Sequence, residues 1–239
     1  HDLTGFDGRC DAIFLSRDGN EPVEGAGHDA RAWRRRLRDL PDDPTPKGPF
    51  DLVIVGGGVT GSVGALVATR LGLRVAVVQN RPVLGGNASV EIGIGPRGER
   101  GTTVAEAIAR TPDGDLQVGR LLEAEPGATV FLHHQVFGVS MDGDSINSVD
   151  ACEAVSGREI RISGSQFIDC TGTAILGILA NTPTMFGIEG AGEYSESHAP
   201  PERLNQHHGH TIFFRTRIAD DPVEFPDVPW AIEVAKDFA

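Results

Sequence analysis

Asp51-Leu-Val-Ile-Val-Gly-Gly-Gly-Val-Thr-Gly61 is the stretch whose reading decides the fold. Asp51 to Val55 reads as a continuous apolar run, the pattern of a strand buried on both faces. Residues 59–71 follow with helical periodicity and many small side chains, and Arg74-Val-Ala-Val-Val78 reads as a second buried strand. Together they make a βαβ unit, right-handed by default. Its first turn, Gly56 to Gly61, fits GxGxxG. Gly56 allows the tight turn, Gly58 lets the backbone approach a pyrophosphate, and Gly61 lets the helix pack close to the strand. The helix start adds unpaired N–H groups and a positive dipole end, so Val59 and Thr60 join the expected contacts. The motif is weak alone. Lying after an apolar strand and opening a helix, it points to dinucleotide binding over a merely structural Gly-rich turn.

The second strand of such a unit ends in an acid that holds the ribose hydroxyls. Here that position is Gln79, followed by Asn80 and Arg81. An amide can accept from and donate to a ribose diol, though without charge, and Arg81 opens a reading in which an arginine meets a 2′-phosphate. The next residues, Pro82-Val-Leu-Gly-Gly-Asn-Ala-Ser89, are not a feature of nicotinamide folds. Further on, Ala128–Leu132 reads as a third parallel strand. Residues 137–163 alternate and contain the hairpin signals Asp142-Gly143-Asp144 and Ser156-Gly157. Gln166-Phe-Ile-Asp-Cys-Thr-Gly172 reads as a buried strand with a tight turn into a helix over 173–181.

Toward the N-terminus, Ala12–Leu15 is a short apolar run of strand type within residues 1–20. One strand cannot bury its own face, so it is expected to be the last strand of an absent upstream β-domain. Residues 21–50 are expected to hold a short basic helix (28–39, with Trp33, Leu37 and Leu40 near one face) and a stiff Pro-rich linker over Pro41–Pro46. The arginines of that helix read as a solvated face. A net charge of -13 argues against nucleic acid or an anionic membrane as partner. The three cysteines, Cys10, Cys152 and Cys170, are far apart and form neither a disulfide framework nor a zinc site. No apolar run is long enough to cross a bilayer, so a soluble chain is expected, its compartment left open.

The span from Val77 to Gly98 (VVQNRPVLGGNASVEIGIGPRG) resembles the bacterial FAD-dependent oxidoreductase family, some of whose members are labelled xanthan lyase-like, and through it the glutathione-reductase-type flavin fold. The resemblance implies an α/β, Rossmann-type FAD-binding domain over 51–182. It would have a parallel sheet and an antiparallel β-meander crossover, with 183–239 beginning a substrate or cap region. It places Gly85, Gly86, Asn87, Ala88 and Ser89 beside FAD, has Val136 touch adenine through its backbone, and sets Thr171 and Gly172 near the pyrophosphate. The family continues that last turn with Asp-Gly, where this chain has Thr173-Ala174. It also implies a C-terminal return that is missing here, so the chain is expected to be a piece of a longer polypeptide whose remainder completes the site.

For catalysis, histidine is the usual base near neutral pH. His208 and His210 fall on one face of an expected strand and are the candidate catalytic pair, with a structural role or a metal site as the alternatives. No third metal ligand is evident, so no metal is expected. The expected function is hydride transfer to FAD from an alcohol carbon of a small substrate, a sugar by resemblance alone. The rival readings are a non-catalytic dinucleotide-binding module, supported by Gln79 and Thr173, and a polysaccharide lyase with Tyr194 as its tyrosine.

Overall fold

Leu52, Val53, Ile54 and Val55 are all buried, and their side chains divide between two cores. Successive residues of a strand point to opposite faces, so a run with no polar alternation must be covered on both sides. The computed structural model of the chain describes residues 14–25, 27–206 and 220–223. Its strands are β1 (Thr45–Val55), β2 (Val75–Val78), β3 (Ala128–Phe131), β4 (His134–Asp142), β5 (Ser145–Glu153) and β6 (Glu159–Asp169). Its helices are α1 (His28–Leu37), α2 (Val59–Arg70), α3 (Thr102–Ile108), α4 (Gln117–Ala124), α5 (Ile175–Leu179) and α6 (Ala191–Tyr194).

The six strands form one sheet in the order β3-β2-β1-β6-β5-β4. The β3-β2-β1-β6 part is parallel, and β6-β5-β4 is antiparallel. This is the expected parallel sheet with an antiparallel meander. On one face Leu52, Ile54, Val75 and Val77 pack with Ala65 and Leu66 of α2, Ala107 of α3 and Leu122 of α4. On the other, Val53, Val55, Ala76 and Val78 share a core with Val136, Val149, Ile162 and Leu176. Burying each of the Val, Leu and Ile side chains of β1 and β2 in these cores contributes about 1.5–3 kcal/mol.

Several local expectations are corrected. The Pro-rich stretch is not linker to its end: Thr45, Pro46 and Lys47 belong to β1 and pair with β6. Pro46 is tolerated because β2 pairs only with Leu52–Val55, so this end of β1 has one neighbour, as on an edge strand. The strand expected over 166–169 and the last meander strand are one continuous element, β6, which ties the meander to the parallel sheet. The helix expected over 173–181 shortens to α5, which starts after Ala174 in the left-handed region (φ 51°). Helices α3 and α4 have no counterpart in the sequence reading. Of the strand expected at Ala12–Leu15, Ala12 and Ile13 lie outside the described residues; Phe14 and Leu15 are not in a strand, Leu15 being exposed and Phe14 packing edge-on against Trp33 of α1 at 5.0 Å.

The basic face of α1 is not wholly solvated. Arg35 is buried and ion-pairs with Glu159 at the start of β6 (3.2 Å), both side chains 9% exposed. Arg31 stacks over the Phe137 ring at 4.5 Å, and Arg38 donates to the Ser156 carbonyl in the β5–β6 turn. Leu37, expected on the packed face, is exposed. The chain forms two compact units, His1–Met185 and Phe186–Ala239. Within the second, Ile188 and Leu204 exchange backbone hydrogen bonds of 2.9 Å, and Arg203 pairs with Glu193 of α6. Among the described residues, no helix is long and apolar enough to cross a membrane.

The Arg35–Glu159 pair leaves the Arg35 Nε without a hydrogen-bond partner. Removing one partner strands a buried charge. Arg35→Ala is expected to lower unfolding free energy by about 3–5 kcal/mol, whereas Arg35→Met with Glu159→Leu should be near neutral. Urea titration of the two variants beside the parent checks this, and equal losses would contradict it.

Candidate functional site

The C-terminal ends of β1, β2 and β6 meet at the first glycine turn. Gly56 has φ +102°, and a Cβ there would lie 2.6 Å from the Cys170 carbonyl group. Only glycine fits that turn against that backbone. Gly57 is buried and held at both ends: its N–H donates to Gln79 Oε1 (2.9 Å), and its carbonyl accepts from Gly85 N–H (2.7 Å) and Ser62 Oγ (2.9 Å). The two Gly-rich segments thus lie side by side, with a parallel bridge between Gly58 and Gly85.

Gly58 differs from its neighbours. Its φ is an ordinary −64°, and a Cβ built there meets nothing within 4 Å. The chain's own packing does not require glycine at this position. Gly58 is also the N-cap of α2, which has no side-chain cap. The N–H groups of the first turn therefore have no side-chain acceptor and could hold an anion, at about 0.3–1 kcal/mol per negative charge and up to ~2 when partly buried.

These elements border an open cleft of about 600 Å3. Of the residues expected from the sequence, Gly56, Gly58, Gly86 and Asn87 line it from the two glycine segments. Gln79, Asn80, Arg81 and Val136 line it from the ends of β2 and β4, and Thr171 and Gly172 from the turn after β6. The others do not line it. Gly61 is buried in α2, where a Cβ would meet the Gly56 carbonyl oxygen, and Val59 and Thr60 begin that helix. Gly85, Ala88 and Ser89 are buried, and the Ala88 carbonyl accepts from Arg110 Nη2 (2.7 Å). They shape the second segment rather than its surface. His208 and His210 lie outside the described residues.

Three expected contacts have partners of their own. The Gln79 amide is not held ready for a diol: besides accepting from Gly57, it donates through Nε2 to the Val83 carbonyl (3.1 Å). It clamps the two glycine segments together from inside, because the side chain is 5% exposed. Arg81 forms a two-point ion pair with Glu91 (2.8 and 3.0 Å). The Val136 carbonyl accepts from Gln135 Nε2 (3.0 Å). The sequence reading missed nine lining residues, among them Glu91, His134, Gln135 and Cys170. Their position depends on strand order, which no local pattern carries. Burial and then the Asp169 charge push the Cys170 thiol up, so it stays neutral at pH 7.

Asp169 ends β6 and organises the turn beside Gly56. Its carboxylate accepts from the Thr171 hydroxyl (2.6 Å) and N–H (2.9 Å) and from Leu176 N–H at the start of α5 (2.9 Å). Burial raises its pKa, but these hydrogen bonds to the charged form outweigh that and hold it below the usual value.

The model of the family described as FAD dependent oxidoreductase matches residues 51–112 and 99–238. Among solved structures, similarity is found to a geranylgeranyl bacteriochlorophyll reductase-like protein from Thermoplasma acidophilum. That match has 16% identity and TM-score 0.44, covering 58% of this chain and 42% of that one. Glycerol-3-phosphate dehydrogenase from Bacillus halodurans, complexed with FAD, matches at 14% identity and TM-score 0.39, over 56% and 37% of the two chains. L-proline dehydrogenase from P. horikoshii matches at 19% identity and TM-score 0.37, over 54% and 24%. The chain spans less than half the length of each.

Because the folded Asp169 pKa is depressed, its stabilising contribution is present above the unfolded value, about 4, and is lost as pH falls through the folded pKa. Asp169→Asn should therefore be less stable than the parent at pH 7. The gap should narrow steadily below about pH 4. Denaturation midpoints measured from pH 7 to pH 2 test this, and a gap independent of pH would refute it.

Proposed function

The chain belongs to the FAD dependent oxidoreductase family, and from that premise we propose that the Gly56–Gly61 turn, the Gly85–Asn87 segment and the Thr171–Gly172 turn hold FAD for the oxidation of a small molecule. The observation that carries the reading is Gly58, a glycine the protein's own packing does not need, capping an uncapped helix at the wall of the cleft. The residues present fit the cofactor. The first-turn N–H groups of α2 would bind its pyrophosphate, Gly58 would let the phosphates approach, and Thr171 with Gly172 would close the opposite side. When bound, FAD accepts a hydride from the carbon being oxidised.

The chain's own contribution is rigidity. Gln79 locks the two glycine segments, Asp169 locks the turn after β6, and the Arg81–Glu91 pair spans from the end of β2 to the segment after Ser89. A site whose donors are fixed before the ligand arrives loses less entropy on binding. The substrate in this reading is an alcohol, oxidised to a carbonyl, and a carbohydrate alcohol on the strength of the family resemblance. His208 and His210 are the proposed bases for the hydroxyl proton.

The absorbance spectrum of the full-length protein tests the reading. A flavin band that bleaches anaerobically on addition of an oxidisable sugar supports it. No flavin binding even with added FAD, or an unsaturated sugar product without flavin reduction, overturns it. Gly58→Ala separates binding from folding. Its stability without FAD should fall by no more than about 1 kcal/mol, because the new methyl enters open space. Its FAD affinity should fall at least about tenfold, from overpacking against the ligand. Unchanged affinity in a fluorescence titration would remove the phosphate from this position.

A further inference from the structure

The acid that ordinarily holds the adenosine ribose at the end of β2 is absent, and its replacement is turned inward. Both ends of the Gln79 amide are engaged by Gly57 and Val83. A ribose diol brings two hydroxyl donors that need acceptors. The chain places another group at this spot. The start of β4 is tied to the end of β2: His134 N–H donates to the Gln79 carbonyl (2.9 Å), and Gln79 N–H donates to Phe131 (2.9 Å). His134 is half-buried and lines the cleft beside Gln79, Asn80 and Val136.

The ring of His134 has one assignable tautomer. Its Nδ1 lies 2.6 Å from the Leu132 carbonyl. A carbonyl can only accept, so Nδ1 carries the proton and Nε2 of the neutral ring bears a lone pair. The Phe131 ring meets it edge-on at 5.7 Å, which fixes the plane. Neighbouring acceptors are engaged or solvated. Gln135 Oε1 takes Asn80 Nδ2 (3.2 Å), and both Glu91 oxygens take Arg81. Asn80 itself is exposed.

We propose that His134 Nε2 is the hydrogen-bond acceptor for the adenosine ribose, in place of the acid missing at position 79. The inference rests on the FAD reading above. A ring already held by Leu132 and Phe131 loses little freedom when it accepts a ligand hydroxyl.

The test compares ADP with 2′,3′-dideoxy-ADP as competitors of FAD on the full chain. The parent should bind ADP on the order of tenfold more tightly than the dideoxy compound. In His134→Phe that preference should vanish while FMN, which lacks the adenosine, binds as in the parent. His134→Gln, which restores an acceptor, should recover part of the preference. Equal binding of the two nucleotides by the parent overturns the proposal with no variant needed. So does a preference that survives in His134→Phe, or one that disappears in Asn80→Ala instead. A parent that binds neither FAD nor ADP fails the FAD reading itself, which is a separate outcome.

Discussion

The Gly56–Gly58 backbone has neighbours on three sides with no room for side chains at Gly56 and Gly57. At Gly56 the Cys170–Thr171 backbone would collide with a Cβ, and at Gly57 the Leu84 and Gln79 side chains would. At Gly56 this exclusion is rigid, because the colliding atoms are backbone, whereas at Gly57 a Cβ would have to displace the tip of Leu84. The ends of β1, β2 and β6 and the segment Leu84–Gly86 are therefore mutually fixed. The cleft is the hollow left where these segments converge, with Gly58 opening onto it.

Polar locks hold that convergence in place. The buried Gly57 N–H would cost about 1–3 kcal/mol if unpaired, and Gln79 removes that cost from within. Asp169 does the equivalent for the turn into α5, using charge-assisted bonds to hydroxyl and backbone N–H groups. Position 79 shows how a residue can move from contacting a ligand to supporting the loop that contacts it. A carboxylate facing water can serve a diol, whereas a buried amide with donor and acceptor ends can bridge two backbone groups. The bridging role engages both ends of the amide, and strand order brings His134 to the same cleft.

The distal half of the sheet serves the same centre. β6 runs from the Arg35–Glu159 pair at one end to Asp169 at the other. The meander strands β4 and β5 cover the face of β1 and β2 opposite the helices, through Val136, Val149 and Ala151. Helix α1 closes on the same elements through Arg31, Arg35 and Arg38.

The sequence by itself determined the βαβ unit, the glycine turn, the hairpin positions and the family resemblance. Each is local: an unbroken apolar run demands burial on both faces, and GxGxxG at a strand–helix junction has few other physical uses. It also named ten residues that line the cleft, from Gly56 to Gly172. Tertiary structure alone decided which way the Gln79 amide faces, that Arg35 is buried although its neighbours are solvated, and that Pro46 sits in a strand beside a single partner. It alone brought His134, Gln135 and Glu91 to the cleft. Those outcomes depend on pairing between segments far apart in the chain, and a one-dimensional pattern records what a residue prefers, not which neighbour it meets.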